Sequence, residues 1–152
     1  MNLIFVSSPQ SEFRRIRKEL CYFILTDPYL KQYFDVFLFE NLPANQQNPE
    51  NNYKDNVRGC NIYLGLFGKT YGKTNNNGIS ATEDEYNYAS ELGKDRIIYL
   101  KLLRAQDRQA RKMANLIRRV RNEVTYDTFR SLAELQRKVL QSLLYWQQVS
   151  SN

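Results

Sequence analysis

Short apolar segments alternate along the chain with longer stretches in which apolar residues recur at helical spacing. Four apolar segments are predicted strands, at residues 3–6, 34–39, 61–67 and 96–100, and a weaker β-like segment covers residues 124–129. Helical stripes follow them, the clearest being Phe13, Ile16, Leu20, Phe23 and Ile24 after the first strand and Leu132, Leu135, Val139, Leu143 and Trp146 at the end. This β–α alternation predicts a doubly wound α/β fold with a five-stranded parallel sheet in the flavodoxin-like order 2-1-3-4-5.

The predicted strand order locates a binding crevice before any motif is considered. Strands one and three are neighbours whose connections leave toward opposite faces of the sheet, so a crevice opens at their carboxyl ends. The residues expected there are Ser7 and Ser8 after strand one, Phe67 and Gly68 at the end of strand three, two lysines (Lys69, Lys73) in the loop 69–78, and Ser80, Thr82 and Glu85 beyond that loop. Hydroxyls, glycines, aromatic rings and lysines beside one carboxylate suit a nucleotide-like ligand.

Glu85 is the candidate catalytic residue. Helical spacing from it leads to Tyr88, Ala89 and Leu92, so its carboxylate should lie in line with the stripe that packs on the sheet. A partly desolvated carboxylate at this edge is a candidate for chemistry. Two other interpretations stay open, because Thr82-x-x-Glu85 matches a capping box and Ser80-x-x-Glu83 offers a second register of that motif. The serines after strand one equally suit a helix cap or a turn.

The amino-acid composition mainly excludes certain kinds of catalytic site and classes of protein. The 152 residues fit one domain, at residues 1–148, with residues 149–152 as a frayed tail or the start of a linker. The chain has no histidine, which excludes Ser-His-Asp and Cys-His nucleophile systems and most zinc hydrolase sites. Cys21 and Cys60 lack metal-ligand spacing, so we expect buried thiols and no metal. No apolar run approaches the roughly 20 residues of a membrane span, and no signal segment is evident, so we expect a cytoplasmic protein that does not enter a membrane.

Basic residues are concentrated in residues 104–121, which carry much of the net charge of +6. The same segment holds an apolar stripe at helical spacing, formed by Met113, Leu116, Ile117, Val120 and Val124. The basic residues are therefore expected to be the solvated side of an amphipathic helix. Nucleic acid as a partner is the weaker interpretation, because no aromatic residues interleave with the charges.

Several segments resemble the bacterial TIR-like family DUF4062, a domain of unknown function related to Toll/interleukin-1 receptor (TIR) domains and nucleoside deoxyribosyltransferases. These segments are Phe5-Val6-Ser7-Ser8 with Glu12, Phe37 to Pro43, Cys60 to Gly68, Tyr71-Gly72 and Gly78 to Tyr86. The resemblance runs nearly end to end and implies a TIR-like form of the fold. Because members typically form the N-terminal part of larger bacterial proteins, it also implies a C-terminal effector domain in the full-length protein.

The resemblance assigns roles to individual residues. Thr82-x-x-Glu85-x-x-x-Ala89 is similar to the deoxyribosyltransferase signature whose glutamate attacks the sugar, which implies catalysis by Glu85 at an anomeric carbon. Leu42 and Pro43 fall where TIR domains place a loop used in self-association. The substrate-binding residues that it implies are Ser7, Ser8, Phe67, Gly68, Lys69, Tyr71, Ser80, Thr82 and Tyr86. No cofactor is implied, since NAD would be a substrate.

The resulting hypothesis is a nucleotide N-glycosidase that hydrolyses or cyclises NAD in bacterial stress or antiphage signalling and acts after self-association. Cleavage of an N-glycosidic bond passes through an oxocarbenium-like state that a carboxylate stabilises, and nicotinamide leaves as a neutral molecule, so no histidine acid is required. TIR NAD hydrolases usually carry a Trp-Cys pair shortly before their glutamate, whereas the only tryptophan here is Trp146. The alternative is a noncatalytic TIR-like signalling or self-assembly module, so whether the chain is an enzyme stays open.

Overall fold

A five-stranded parallel sheet forms the centre of the protein. The computed structural model describes residues 1–43 and 49–151, with the side chains of residues 49–52 excluded. The strands are β1 (Asn2–Ser7), β2 (Phe34–Phe37), β3 (Ile62–Phe67), β4 (Asp95–Lys101) and β5 (Tyr126–Phe129), and their order in the sheet is β2-β1-β3-β4-β5. All four neighbouring pairs are parallel. The predicted α/β class and strand order are confirmed.

Helices cover both faces of this sheet. They are α1 (Gln10–Thr26), α2 (Pro49–Gly59), α3 (Ala81–Glu91), α4 (Arg111–Glu123) and α5 (Leu132–Ser150). The apolar sides of α1 and α5 pack on one face, and those of α2, α3 and α4 pack on the other. Each helix buries an apolar stripe against the sheet, and together these stripes form the two layers of the core. No described helix has the length and apolar character needed to cross a membrane.

Strand β3 divides its side chains between the two layers because successive side chains in a strand point to opposite faces. Ile62, Leu64 and Leu66 join the layer of α1 and α5, whereas Tyr63 and Phe67 join the layer of α2, α3 and α4. Gly65 lies between the two aromatic residues. A Cβ atom there would come within 2.8 Å of Ile98 Cδ1, 3.0 Å of Phe67 Cζ and 3.1 Å of Tyr63 Cε1, so the missing side chain makes room for both rings.

Several boundaries differ from the sequence-based expectation. Strand β2 ends at Phe37, two residues early, because the chain turns into a short 3₁₀ helix at Phe39–Asn41. The predicted loop over residues 41–52 is shorter than expected, since α2 begins at Pro49; residues 44–48 of that prediction lie outside the described residues. Helix α5 continues to Ser150, two residues into the predicted tail.

The basic segment also begins its helix later than the charge pattern suggested. A turn precedes α4, in which the Asp107 carboxylate accepts the Arg104 backbone N–H at 2.8 Å and the Asp107 N–H donates to the Arg104 carbonyl at 3.0 Å. The predicted apolar stripe of this segment is largely buried, with Met113, Leu116, Ile117 and Val120 in the core. Arg118 and Arg121 face solvent on the opposite side, as an amphipathic helix requires. Cys21 and Cys60 are buried free thiols.

We predict that Gly65→Ala lowers the free energy of unfolding by roughly 1–3 kcal/mol, because the added methyl group overpacks the contact between β3 and β4. Urea denaturation measures the change. Gly59→Ala is the matched control: nothing lies within 4 Å of its Cβ position at the end of α2, so we expect no loss of stability there. Equal unfolding midpoints for the two variants would contradict the prediction.

Candidate functional site

A cavity of about 180 Å³ opens at the carboxyl edge of the sheet, beside the end of β1. Its wall comes from β1, the first two turns of α1, the 3₁₀ helix after β2, α2, the loop after β3 and the first two turns of α3. The described wall residues are Phe5, Val6, Ser8, Pro9, Gln10, Arg17, Phe39, Tyr53, Gly72, Lys73, Ser80, Ala81, Thr82 and Glu85. The crevice that strand order predicted is therefore bordered by Glu85 itself.

The Glu85 carboxylate is held by the last residue of β1. Ser7 Oγ donates a hydrogen bond to Glu85 Oε1 at 2.7 Å, and Ser7 itself is fully buried. Burial raises the pKa of Glu85 to about 7; the Ser7 hydrogen bond and the charge of Arg17 oppose this rise, while Asp84 and Glu40 add to it. A carboxyl group with this pKa exchanges its proton near neutral pH, which suits a nucleophile or an acid–base group.

The start of α3 decides between the two capping registers. Ser80 is the N-cap residue, and its Oγ accepts the Glu83 backbone N–H at 3.2 Å. The reciprocal half of the capping box is absent here, because the Ser80 N–H donates to the Tyr71 hydroxyl and the Glu83 carboxylate accepts from that same hydroxyl at 2.8 Å. Thr82 does not cap the helix, and Glu85 takes no part in the cap. The Glu85 side chain is therefore directed to the cavity and to Ser7.

The packed face of α3 lies one residue away from the expected stripe. Thr82, Tyr86 and Ala89 are its buried residues, so Glu85 borders this face and does not lie at its centre. Leu92, expected to pack on the sheet, is 39% exposed. The helix ends at Glu91, and the chain turns at Gly93 with φ of +68°, which leaves Leu92 outside the packed layer.

Arg17 belongs to the cavity wall and forms an ion pair with the half-buried Glu40; neither residue was among the site residues predicted from the sequence. Arg17 is only 2% exposed, and its Nε and Nη2 donate to the two carboxylate oxygens of Glu40, each at 2.8 Å. Its Nη1 donates to Ser8 Oγ at 2.9 Å. Burial alone would raise the pKa of Glu40, but hydrogen bonds and charge from Arg17 bring it below its ordinary value. The bidentate geometry fixes this wall and positions Ser8.

A sequence signal for Arg17 was present. Arg17 follows Phe13 by four residues and precedes Leu20 by three, so it stands on the apolar stripe of α1. A charge on such a stripe requires a buried partner. The sequence contains no comparable indication that Tyr53 or Phe39 borders the cavity. Tyr53 reaches the cavity from α2, and its hydroxyl donates to the Asp84 carboxylate.

The structure separates the sequence-predicted site residues into two groups. Ser8, Ser80, Thr82 and Glu85 meet in the cavity wall, with Ser7 directly behind Glu85. The other group lies outside the described wall. It comprises Phe67 and Tyr86, fully buried with ring centroids 6.2 Å apart; Tyr71, bonded to Glu83; Lys69, whose Nζ lies 3.6 Å from Asp107; and Gly68 at the end of β3.

Leu42 and Pro43 follow the 3₁₀ helix at Phe39–Asn41, and Pro43 is exposed.

The described residues contain no group of three or more His, Cys, Asp or Glu side chains arranged to hold a metal ion. The candidate site therefore consists of the Glu85 cavity and the polar groups that support it.

The sequence profile of the domain of unknown function DUF4062 matches residues 3–144. The chain belongs to the DUF4062 family. Among solved structures, that of the Clostridium botulinum CMP N-glycosidase BcmB is similar to this DUF4062 domain, with a TM-score of 0.57 and 16% sequence identity. The likeness covers 91% of this chain and 98% of the other, and at this identity it shows a shared fold. No curated protein sequence matches the chain.

A second buried carboxylate holds the loop after β3 in this DUF4062 domain. The Glu12 side chain is 3% exposed, and it accepts the backbone N–H of Lys69 at 3.0 Å and that of Thr70 at 2.8 Å. Lys101 Nζ lies 4.0 Å from the same carboxylate. A Cβ atom on Gly68 would come within 2.3 Å of Glu12 Oε2, so this contact requires glycine. Glu12 thus fixes one border of the crevice.

We predict that Glu85→Gln stabilises the folded protein at pH 8 by roughly 1–3 kcal/mol. The pKa of Glu85 is about 7 in the folded state, whereas in the unfolded chain it has the ordinary value of 4.5. Between these two pH values the folded state therefore holds a proton that the unfolded state has lost. The stability that this proton contributes is complete below pH 4.5 and is lost as the pH rises through 7. A glutamine side chain at position 85 can still accept the hydrogen bond from Ser7, and it carries no charge that burial would penalise.

Urea unfolding at pH 8 and at pH 4 measures this difference, and the gain from Glu85→Gln should be confined to pH 8. Glu19→Gln, in the middle of α1, is the control and should show no such gain. A Glu85→Gln effect of equal size at both pH values would contradict the assignment of a raised pKa to Glu85.

Proposed function

We propose that this DUF4062 domain is a nucleotide N-glycosidase whose nucleophile is Glu85. The observation that carries the proposal is a carboxylate with a pKa of about 7 that lines a cavity at the carboxyl edge of β1 and β3 and is held there by Ser7. The fold shared with a CMP N-glycosidase supports the same class of reaction. The absence of histidine from the chain is compatible with it, because a carboxylate alone can serve as the nucleophile.

In the proposed reaction, ionised Glu85 attacks the anomeric carbon of the ribosyl group. The bond between that carbon and the base nitrogen breaks, its electron pair leaves with the base, and a glycosyl ester forms on Glu85. Water then attacks the same carbon, the ester bond to Glu85 breaks to release the carboxylate, and the water gives up a proton to solvent as the sugar hydroxyl forms. Nicotinamide leaves as a neutral molecule, whereas a pyrimidine or purine base takes up a proton from solvent as it departs.

The charge distribution of the cavity favours a phosphate-bearing ligand over a plain nucleoside. The first turns of α1 and α3 both border the cavity, at Gln10 and Ala81, and the amino ends of helices attract anions. Lys73 adds a cation to the wall, while Glu85 is the single carboxylate among the described wall residues. A phosphate at the helix ends would leave the anomeric carbon of the same nucleotide within reach of the glutamate.

The size of the cavity favours a small nucleotide as the first substrate to test. Its volume of about 180 Å³ is below the roughly 300–1,000 Å³ of most ligand pockets. A ribosyl phosphate fits such a space better than a dinucleotide, and Phe39 and Tyr53 offer rings near a base. Nucleoside monophosphates are therefore the first candidates and NAD the second. A role in stress or antiphage signalling, with self-association through Leu42 and Pro43, is part of the proposal on the ground of family resemblance.

We predict that the purified protein releases free base from a nucleoside monophosphate or nicotinamide from NAD, and that Glu85→Gln lowers the rate at least about 1,000-fold because it removes the nucleophile. Chromatography of the products at high protein concentration measures the release. The rate should rise with pH through about 7, since the attacking carboxylate must be ionised.

Glu19→Gln serves as the control and should retain the full rate. Absence of base release from every nucleotide tested, or full activity in Glu85→Gln, would refute the glycosidase proposal. The first of these results would instead favour a noncatalytic signalling module.

A further inference from the structure

The hydroxyl group of Tyr63 is buried beside Glu85 and takes no part in the proposed reaction. Tyr63 of β3 is fully buried, and its hydroxyl makes no hydrogen bond of ordinary geometry with any described residue. Leaving a buried hydroxyl unpaired costs roughly 1–3 kcal/mol. Such a group in a folded protein calls for a physical explanation, and its position supplies one.

The packing of β3 directs the Tyr63 ring toward the site. The ring lies between Phe5, with centroids 6.3 Å apart, and Tyr86, with centroids 5.9 Å apart. Its Cε1 atom passes 3.1 Å from the Cβ position of Gly65, which pairs with Ser7 across the β1–β3 ladder. The ring thus extends along β3 toward the level of Ser7, in space that a larger residue at position 65 would fill.

The electrostatic surroundings of the Tyr63 hydroxyl agree with this placement. Burial raises its pKa well above the ordinary value and the Glu85 charge raises it further, while a loose hydrogen-bonding contact with the Ser7 hydroxyl partly offsets the rise. The titratable and charged groups that face Glu85 come from several elements, namely Arg17 of α1, Glu40 of the 3₁₀ helix, Tyr53 of α2, Tyr63 of β3 and the neighbouring Asp84. Among these groups, Tyr63 is the one whose hydroxyl has no hydrogen bond of ordinary geometry, and the hydroxyl it interacts with is that of Ser7.

We propose that Tyr63 is a positioning residue for the nucleophile: its hydroxyl donates to Ser7 Oγ, which directs the Ser7 proton onto Glu85 and favours the ionised carboxylate. This inference rests on the proposed function of Glu85. A serine hydroxyl has one proton to donate and two lone pairs to accept with, so Ser7 can bond both groups at once. Hydrogen bonds arranged in a chain polarise and strengthen each other, and the gain is largest when the chain ends on a charge.

The same chain can reverse when Glu85 takes up a proton from solvent. The protonated carboxyl group then donates to Ser7 Oγ, and the Ser7 hydroxyl turns to donate to the Tyr63 oxygen. Each hydroxyl keeps its own proton in both arrangements. Tyr63 therefore supplies Ser7 with a donor when Glu85 is ionised and with an acceptor when it is neutral.

The decisive experiment is an NMR titration of Glu85 in protein labelled with ¹³C in the glutamate carboxyl groups, with Glu85→Gln to identify the signal. We expect Tyr63→Phe to raise the pKa of Glu85 by roughly half a unit to one unit, the equivalent of one hydrogen bond. Tyr99→Phe is the matched control, because that buried tyrosine bonds the Lys138 carbonyl and Ser142 and belongs to the other layer of the core. It should leave the titration of Glu85 unchanged.

A double-variant comparison separates positioning from simple packing. Ser7→Ala should itself raise the pKa of Glu85, and adding Tyr63→Phe to it should cause no further shift, since the link between the two groups is then already broken. If Tyr63→Phe leaves the Glu85 titration unchanged and raises the urea midpoint of unfolding, its hydroxyl is an unpaired group without a role, and the proposal is overturned.

Kinetics provide a second readout in the active protein. The acid limb of the kcat/KM profile should move to higher pH by the same amount in Tyr63→Phe, while KM above pH 8 stays at the wild-type value. If the wild-type protein releases no base, the glycosidase proposal fails, yet the titration still decides whether Tyr63 acts on Glu85 through Ser7.

Discussion

The free-energy cost of holding the Glu85 carboxylate away from water is the constraint on which the carboxyl edge of the sheet depends. The Ser7 hydrogen bond at 2.7 Å and the positive charge of Arg17 offset part of this cost, and the raised pKa shows that part of it remains. Arg17 is itself kept in place by Glu40 and Ser8. Ser7 at the end of β1, Arg17 in α1 and Glu40 beyond β2 thus all act on the Glu85 carboxyl group at this edge.

The fold could be predicted from the sequence because its main signals are local. Apolar periodicity located all five strands and the stripes of α1, α4 and α5, and the handedness of β–α–β connections then limited the strand order to the one found. The predicted boundaries of helices and strands were less accurate where short-range hydrogen bonds override the apolar periodicity. The Arg104–Asp107 turn delays α4 in this way, and the 3₁₀ helix after Phe37 shortens β2.

The candidate site could be predicted only where strand ends determine it. Ser7, Ser8, Ser80, Thr82 and Glu85 follow from the position of the crevice, whereas Tyr53 depends on how α2 packs, which no local pattern reports. Phe67 shows that a residue at a correctly predicted strand end can still lie outside the site. It ends β3 as expected, but strand alternation places its ring with Tyr63 and Tyr86 inside the core. The partnership of Arg17 with Glu40 joins residues 23 positions apart, so the charge on the stripe could be seen in the sequence while its partner could not.

Glu12 limits where an incoming anion can bind. In many nucleotide-binding α/β proteins, backbone amides of a turn after a strand hold a phosphate group. Here the corresponding donors on Lys69 and Thr70 already bond an internal carboxylate, and its negative charge would repel a second anion. The protein thus supplies its own substitute for phosphate at this turn, and the turn serves as a rigid support for the crevice instead of a subsite within it.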